Sequence, residues 1–303
     1  MIMAMDKIYH GQIKLGLIQR GIMVPGILQG ISEVAGGLCS GEPGEEITLA
    51  LGEDFIVKAN LNASGQDGPK LVSHGDRLRL HMREGEIDVG IITIPEFLKQ
   101  QLKQRTPVSE NICLDGYCLN IFLRAIGRGK KLSMPIEAIL SVIQSAFEEG
   151  AADLVQLNMD FCEEPDRGFD RLAPLVTAIK KRFNTFVALK GFPPTDSGTI
   201  DLMYASGFDI IDFPFGGFSG TVKSKRKMTA KQVYSALDYA AGVFPPGTVW
   251  TDIVLGTDPI SQCKEGVDRL TDSGIIPLIY LERDSSEDLD GYRNLLELSL
   301  IHI

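Results

Sequence analysis

The stretch NICLDGYCLNIFLRA, residues 111–125, divides the chain into halves of different character. Before it, short segments alternate apolar and polar residues with period two, the mark of half-buried strands. After it, helix-period and strand-like segments take turns, as in a sheet whose strands are joined by helices. The stretch also holds Cys113 and Cys118, two of the five cysteines. Whether those thiols are ligands decides much of what the chain can do.

Working toward the carboxyl end, Pro135 opens a helix in which Ile136, Ile139, Leu140, Ile143 and Phe147 share one face, and LVQLNM at 154–159 follows as a buried strand. The next helix presents Leu172, Leu175, Val176 and Ile179, and TFVALK at 185–190 is the strand after it. A short helix at 200–206, the strand FDIIDF, a helix at 229–243, the strand VWTDIVLG, a helix at 260–270, the strand IPLIYLE and a last helix from about Glu287 continue the series. With 111–125 counted as the first strand there are about six strand-helix units. Short β-to-α loops and right-handed crossovers make such strands parallel, which predicts an α/β fold: a partial TIM-type (β/α)6 barrel over residues 106–303.

Working toward the amino end, residues 6–23 read as a helix that stops before Pro25, residues 27–34 as a short helix and 36–46 as a glycine-rich loop. ITLAL, DFIVKANL, PKLVSH, RLRLHM and DVGIITI then read as strands of an antiparallel sheet, Glu96–Lys103 as a connecting helix and 104–109 as a linker. Residues 1–105 are expected to form a small α+β amino-terminal domain.

A net charge of -10 argues against nucleic acid and anionic membrane as partners, since both reward clustered Lys and Arg. No apolar run approaches the roughly 20 residues of a membrane span, and the amino terminus lacks a signal-peptide layout, so the expected location is cytoplasmic. Five irregularly spaced cysteines do not make a disulfide framework, which leaves reduced thiols or metal ligands. The basic run Lys223 to Lys227 reads as a solvated loop, or as a contact for an anionic ligand or acidic partner.

In barrels of this kind chemistry sits at the carboxyl ends of the strands. Those ends supply Asn158, Asp160 and Cys162, then Lys190, then Asp212 to Phe218, then Asp252 and the Gly256-Thr257-Asp258 turn, and last Glu282 and Arg283. His10, His74, His81 and His302 lie outside the series, which disfavours a histidine triad or a zinc site. Lys190 ends a strand in apolar surroundings, where desolvation lowers an amine's pKa and makes it a nucleophile. With Asp160 or Asp212 as acid or base, that arrangement predicts a Schiff-base lyase or aldolase acting on a small-molecule ligand.

Residues 110–285, and most specifically ALDYAAGVFPPGTVWTDIVLGTDPISQCKEGVDRLTDSGIIPLIYLER at 236–283, resemble the radical S-adenosylmethionine enzymes of the biotin-synthase-like branch. The resemblance implies S-adenosylmethionine and a [4Fe-4S] cluster held by C-x3-C-x2-C with an aromatic residue before the last cysteine. Tyr117-Cys118 falls at that pair, but Asn111 and Asp115 stand at the two earlier positions, so the standard motif is lost. Two readings follow. Either Cys113, Cys118 and Cys162 form an altered thiolate set, or the protein is a non-catalytic relative that partners an intact radical SAM protein or itself and keeps an adenosyl pocket. In both, Tyr117, Glu163, Phe213, Gly256, Asp258 and Arg283 are the residues the resemblance places around the cofactor.

Overall fold

The computed structural model describes residues 13, 16, 17, 20–23, 46–51, 55–62, 68–74, 77–83, 85–92, 94–104, 108–124, 132–216, 228–255 and 258–281. The chain divides into two compact units, residues 1–94 with 288–303, and residues 95–287.

The first unit is built on six strands: β1 (Ile22–Met23), β2 (Glu46–Leu51), β3 (Phe55–Asn62), β4 (Lys70–His74), β5 (Arg77–Met82) and β6 (Gly85–Ile91). They close into a barrel in the order β1-β3-β2-β6-β5-β4. Four of the pairings are antiparallel, as the alternation predicts, but β1 runs parallel to both β3 and β4. Residues 22–23, expected as the end of a helix, are thus the strand that completes the closure. One residue of each alternating pair points inward, so Leu49, Leu51, Val57, Ala59, Leu71 and Leu80 are fully buried with Leu17 and Ile22. The expected helix at 27–34 and nearly all of the loop at 36–46 lie outside the described residues.

The second unit opens with α1 (Glu96–Gln104), followed by β7 (Ile112–Asp115) and β8 (Cys118–Leu123). The Glu149 carboxylate caps α1, accepting from the backbone N–H groups of Glu96 at 2.5 Å and Phe97 at 2.8 Å. Then come α2 (Ile136–Glu148), β9 (Leu154–Met159), α3 (Phe169–Arg182), β10 (Phe186–Lys190), α4 (Gly198–Ala205), β11 (Ile210–Asp212), α5 (Ala230–Val243), β12 (Val249–Leu255), α6 (Ile260–Asp272) and β13 (Ile276–Leu281). The sheet order is β13-β12-β11-β10-β9-β8-β7, with β8 through β13 parallel and β7 antiparallel to β8. The expected single strand at 111–125 is therefore a hairpin, turned at Gly116-Tyr117, where Gly116 takes φ 59°. The parallel series starts only at Cys118.

Because side chains alternate across a strand, the parallel sheet has two unlike faces. One carries Leu119, Ile121, Val155, Leu157, Val187, Leu189, Ile211 and Ile253, all 0–3% exposed, which form the core with Ile139, Ile143, Leu172, Ile179, Leu237 and Leu270 of the helices. The other carries Asn120, Gln156, Asn158, Lys190, Asp212, Asp252 and Tyr280. This polar face is concave. Lys190 Nζ lies 5.5 Å from the centre of the Tyr280 ring, although their strands are three apart and a flat sheet would hold the two backbones at least ~14 Å from each other.

Candidate functional site

Three charged positions on adjacent strands, two of them the last residues of β10 and β11 and the third in the middle of β12, meet on the polar face. Lys190 on β10 is the bridge partner of Asp212 on β11, which in turn is opposite Trp250 on β12, two residues before Asp252. Lys190 Nζ is 3.0 Å from Asp212 Oδ2 and 2.5 Å from Asp252 Oδ2. Asp212 is fully buried, and neither of its oxygens, nor Asp252 Oδ1, accepts an aligned hydrogen bond from a described residue. An unmatched buried acceptor of this kind costs roughly 1–3 kcal/mol and is kept where something else supplies the donor.

The electrostatics follow from burial and charge count. Burial, then the neighbouring Asp252 charge, raise the Asp212 carboxyl to about 7 despite the opposing pull of Lys190. For Lys190, burial acts to lower the amine, but Asp212 and Asp252 together outweigh it and hold the pKa above the ordinary lysine value. Lys190 is a firmly charged ammonium. Its lone pair is not free to attack a carbonyl, which removes the physical basis of the expected lyase or aldolase nucleophile.

Beside this trio a cavity of about 380 Å³ opens at the carboxyl ends of β8 to β10, lined by Phe122, Arg124, Asn158, Asp160, Lys190 and Phe192 among others. Its floor continues into a cluster of amides: Gln156 Nε2 donates to Asn120 Oδ1 at 2.8 Å and to Asn158 Oδ1 at 3.0 Å, and Asn158 Nδ2 donates to Asn120 Oδ1 at 3.1 Å. Mutual bonding fixes all three side chains. Asp160, expected as an acid or base, is at the rim in an exposed ion pair with Arg124, Nε to Oδ2 3.2 Å.

The expected cluster ligands do not come together. Cys118 starts β8 opposite Leu154, while Cys162 lies beyond Met159, so the two are separated by at least the length of β9, ~16 Å, against the ~7 Å that a shared cluster needs. Tyr117 and Cys118 sit in a hairpin turn at the amino end of the parallel strand, whereas a cluster loop would follow its carboxyl end, and residues 124–135 there contain no cysteine. Burial first, then Asp115 and Cys113, push the Cys118 thiol up to about 12, the opposite of what a thiolate ligand requires. Cys162 is engaged locally, accepting from Arg171 Nη1 at 3.4 Å. Among the described residues no group of three or more His, Cys, Asp or Glu side chains is placed to hold a metal ion.

No family model matches the chain, and no curated protein does. Among the solved structures that match are dihydropteroate synthases: that of Yersinia pestis at TM-score 0.36 and 17% identity over 60% of this chain and 66% of that one, that of Vibrio fischeri at 0.36 and 14% over 62% and 69%, and that of Coxiella burnetii at 0.32 and 13% over 55% and 73%. The chain thus spans just under two thirds of the first of these. The resemblance to the biotin-synthase-like branch is withdrawn, and with it the altered-cluster enzyme and the partner-type relative. Likeness of this degree carries no substrate or activity to this chain.

The remaining positions expected around an adenosyl cofactor are scattered. Phe213 is fully buried, and Phe215 packs edge-on against Tyr234 at 4.8 Å, so neither ring is offered to a ligand. Glu163 is exposed, Asp258 is buried at 3% and Tyr117 is at the opposite end of the sheet. Gly256 and Arg283 lie outside the described residues. Asn120, Gln156, Arg124 and Tyr280 were not anticipated, although the spacing in VQLNM, polar residues two apart on a strand, is the signal that one face is polar. Among the described residues no helix is long and apolar enough to cross a membrane.

Proposed function

We propose that residues 95–287 form a partial (β/α)6 barrel that binds a small polar molecule on its concave face and exchanges a proton with it through Asp212. The single observation that carries this is the set of buried carboxylate oxygens, both of Asp212 and Oδ1 of Asp252, that accept no aligned hydrogen bond from a described residue, although Lys190 Nζ stands 3.0 Å from Asp212 Oδ2. A ligand presenting N–H or O–H donors completes them. With Lys190 charged and both carboxylates ionised the trio has a net charge of about -1, so the favoured ligand is neutral or cationic. Asn158 and the cavity beside it accept the rest of the molecule, and Asp212, titrating near neutrality, is the acid or base. Lys190 holds Asp212 in place as a fixed counter-charge.

Thermal-shift titration with benzamidine and 2-aminopyrimidine tests the reading. Wild-type protein is expected to gain stability with either probe, more at pH 8 than at pH 5, and Asp212→Asn to lose the gain. Equal shifts in wild type and Asp212→Asn would overturn it.

A further inference from the structure

A second cavity, of about 360 Å³, lies outside the Lys190 site, where the loops after β9 and β10 meet the start of α5. Its lining includes two cations, Arg167 and Lys231, the hydroxyls of Thr195, Ser197 and Ser235 and, among the described residues, no carboxylate. That is unexpected in a chain of net charge -10, in which acids outnumber bases 40 to 30.

The lining is held rigid. Arg167 Nε donates to Pro193 O at 3.2 Å and Nη1 to Cys162 O at 3.0 Å, and the guanidinium stacks on the Phe161 ring at 4.8 Å. Thr195 is tied across the same gap, its N–H donating to Pro165 O at 2.9 Å and its hydroxyl at 3.3 Å. Arg167 is also the one non-glycine among the described residues with positive φ, 56°, a conformation that costs about 1–2 kcal/mol and is imposed by these contacts. After all of them Nη2 has no hydrogen-bond partner among the described residues. Lys231 forms no ion pair there either, and Ser235 no side-chain hydrogen bond. Lys231 stands in the first turn of α5, where the helix dipole adds partial positive charge.

We infer that this cavity is a binding site for the phosphoryl group of a small phosphorylated molecule. A pinned guanidinium, an ammonium and a hydroxyl converging on one space supply more donors than a carboxylate's two oxygens use, while a phosphoryl group offers three acceptor oxygens. The space exceeds what bare phosphate fills, and its apolar wall, with Ile200 and Met228, takes the organic part. This site is independent of the proton-exchange reading of Asp212.

Phosphorus NMR and calorimetric titration of the full chain with phenyl phosphate, inorganic phosphate and benzoate test it. The expected result is saturable binding of phenyl phosphate, tighter than either of the others and weakened by salt. Lys231→Met, at an exposed position, is expected to lower affinity at least threefold, and Arg167→Met at least tenfold. Asp212→Asn is expected to bind as wild type does, so failure of the Lys190 site leaves this test intact. No saturable binding of phenyl phosphate up to ~10 mM, benzoate binding equally well, or a Lys231→Met protein with wild-type affinity would each overturn the inference.

Discussion

Lys190 and Asp212 are bridge partners on adjacent parallel strands, and the lysine ammonium lies 3.0 Å from a carboxylate that has no exposed surface. A carboxylate buried this way is tolerable only with its cation beside it. The pair fixes the charge state of both residues and so decides what chemistry the concave face can perform.

Removing the cation should therefore be costly, and more so in base. Lys190→Met leaves Asp212 and Asp252 facing each other, a loss of about 3–5 kcal/mol by analogy with other broken buried pairs. Urea unfolding should show the larger loss at pH 8 and a smaller one at pH 5, where Asp212 takes up a proton.

Asp212→Asn should act in the opposite sense. The folded-state pKa of Asp212, about 7, lies above its ordinary value of 3.8. The protonated carboxyl therefore contributes full stability below about pH 4, and that contribution is lost as pH rises through 7. The asparagine variant abolishes this dependence, so its stability relative to wild type should improve between pH 5 and pH 8 by on the order of a few kcal/mol. Paired unfolding curves at the two pH values measure the difference.

Gly168 precedes α3 with φ 84°, and a Cβ there would come within 2.9 Å of Met159 Cε and 3.2 Å of Arg171 Nη1. Backbone strain and crowding add, and Gly168→Ala should cost about 1–3 kcal/mol in urea unfolding. The variant should also disturb the Arg171–Cys162 contact, readable as faster alkylation of Cys162.

The thiols should react in a set order. Cys113 is exposed, Cys118 has its pKa pushed up to about 12 and Cys263 is buried. Iodoacetamide at pH 8 should label Cys113 first, Cys118 slowly and Cys263 only on unfolding, with peptide mass mapping as the readout.

Much of the second unit's element order was legible because its apolar residues repeat with the period of each element. LVQLNM and FVALK are strands, and the Leu172, Leu175, Val176, Ile179 face is a buried helix face. The hairpin at 112–123 was missed although Asp115-Gly116 breaks the apolar pattern with residues that favour a turn, because the whole stretch was read as one strand. That one omission shifted Cys118 from the carboxyl to the amino end of a strand and made a cluster loop of a turn. Closure of the first unit by β1 depends on pairing two residues with strands more than 30 positions away, which local spacing does not encode. Lys190 and Asp212 were legible as strand-end residues, but their charge states were not. Those depend on Asp252 being in reach of Lys190, a fact of sheet curvature.

The most direct test of the account is the titration of the Asp212 carboxyl itself, followed by carbon-13 NMR of protein labelled at aspartate carboxyls, with Asp212→Asn to assign the signal. The account predicts a resonance with its midpoint near pH 7 that is absent in the variant and moves when 2-aminopyrimidine is added. A carboxyl that titrates below pH 4 and does not respond to the probe would contradict it.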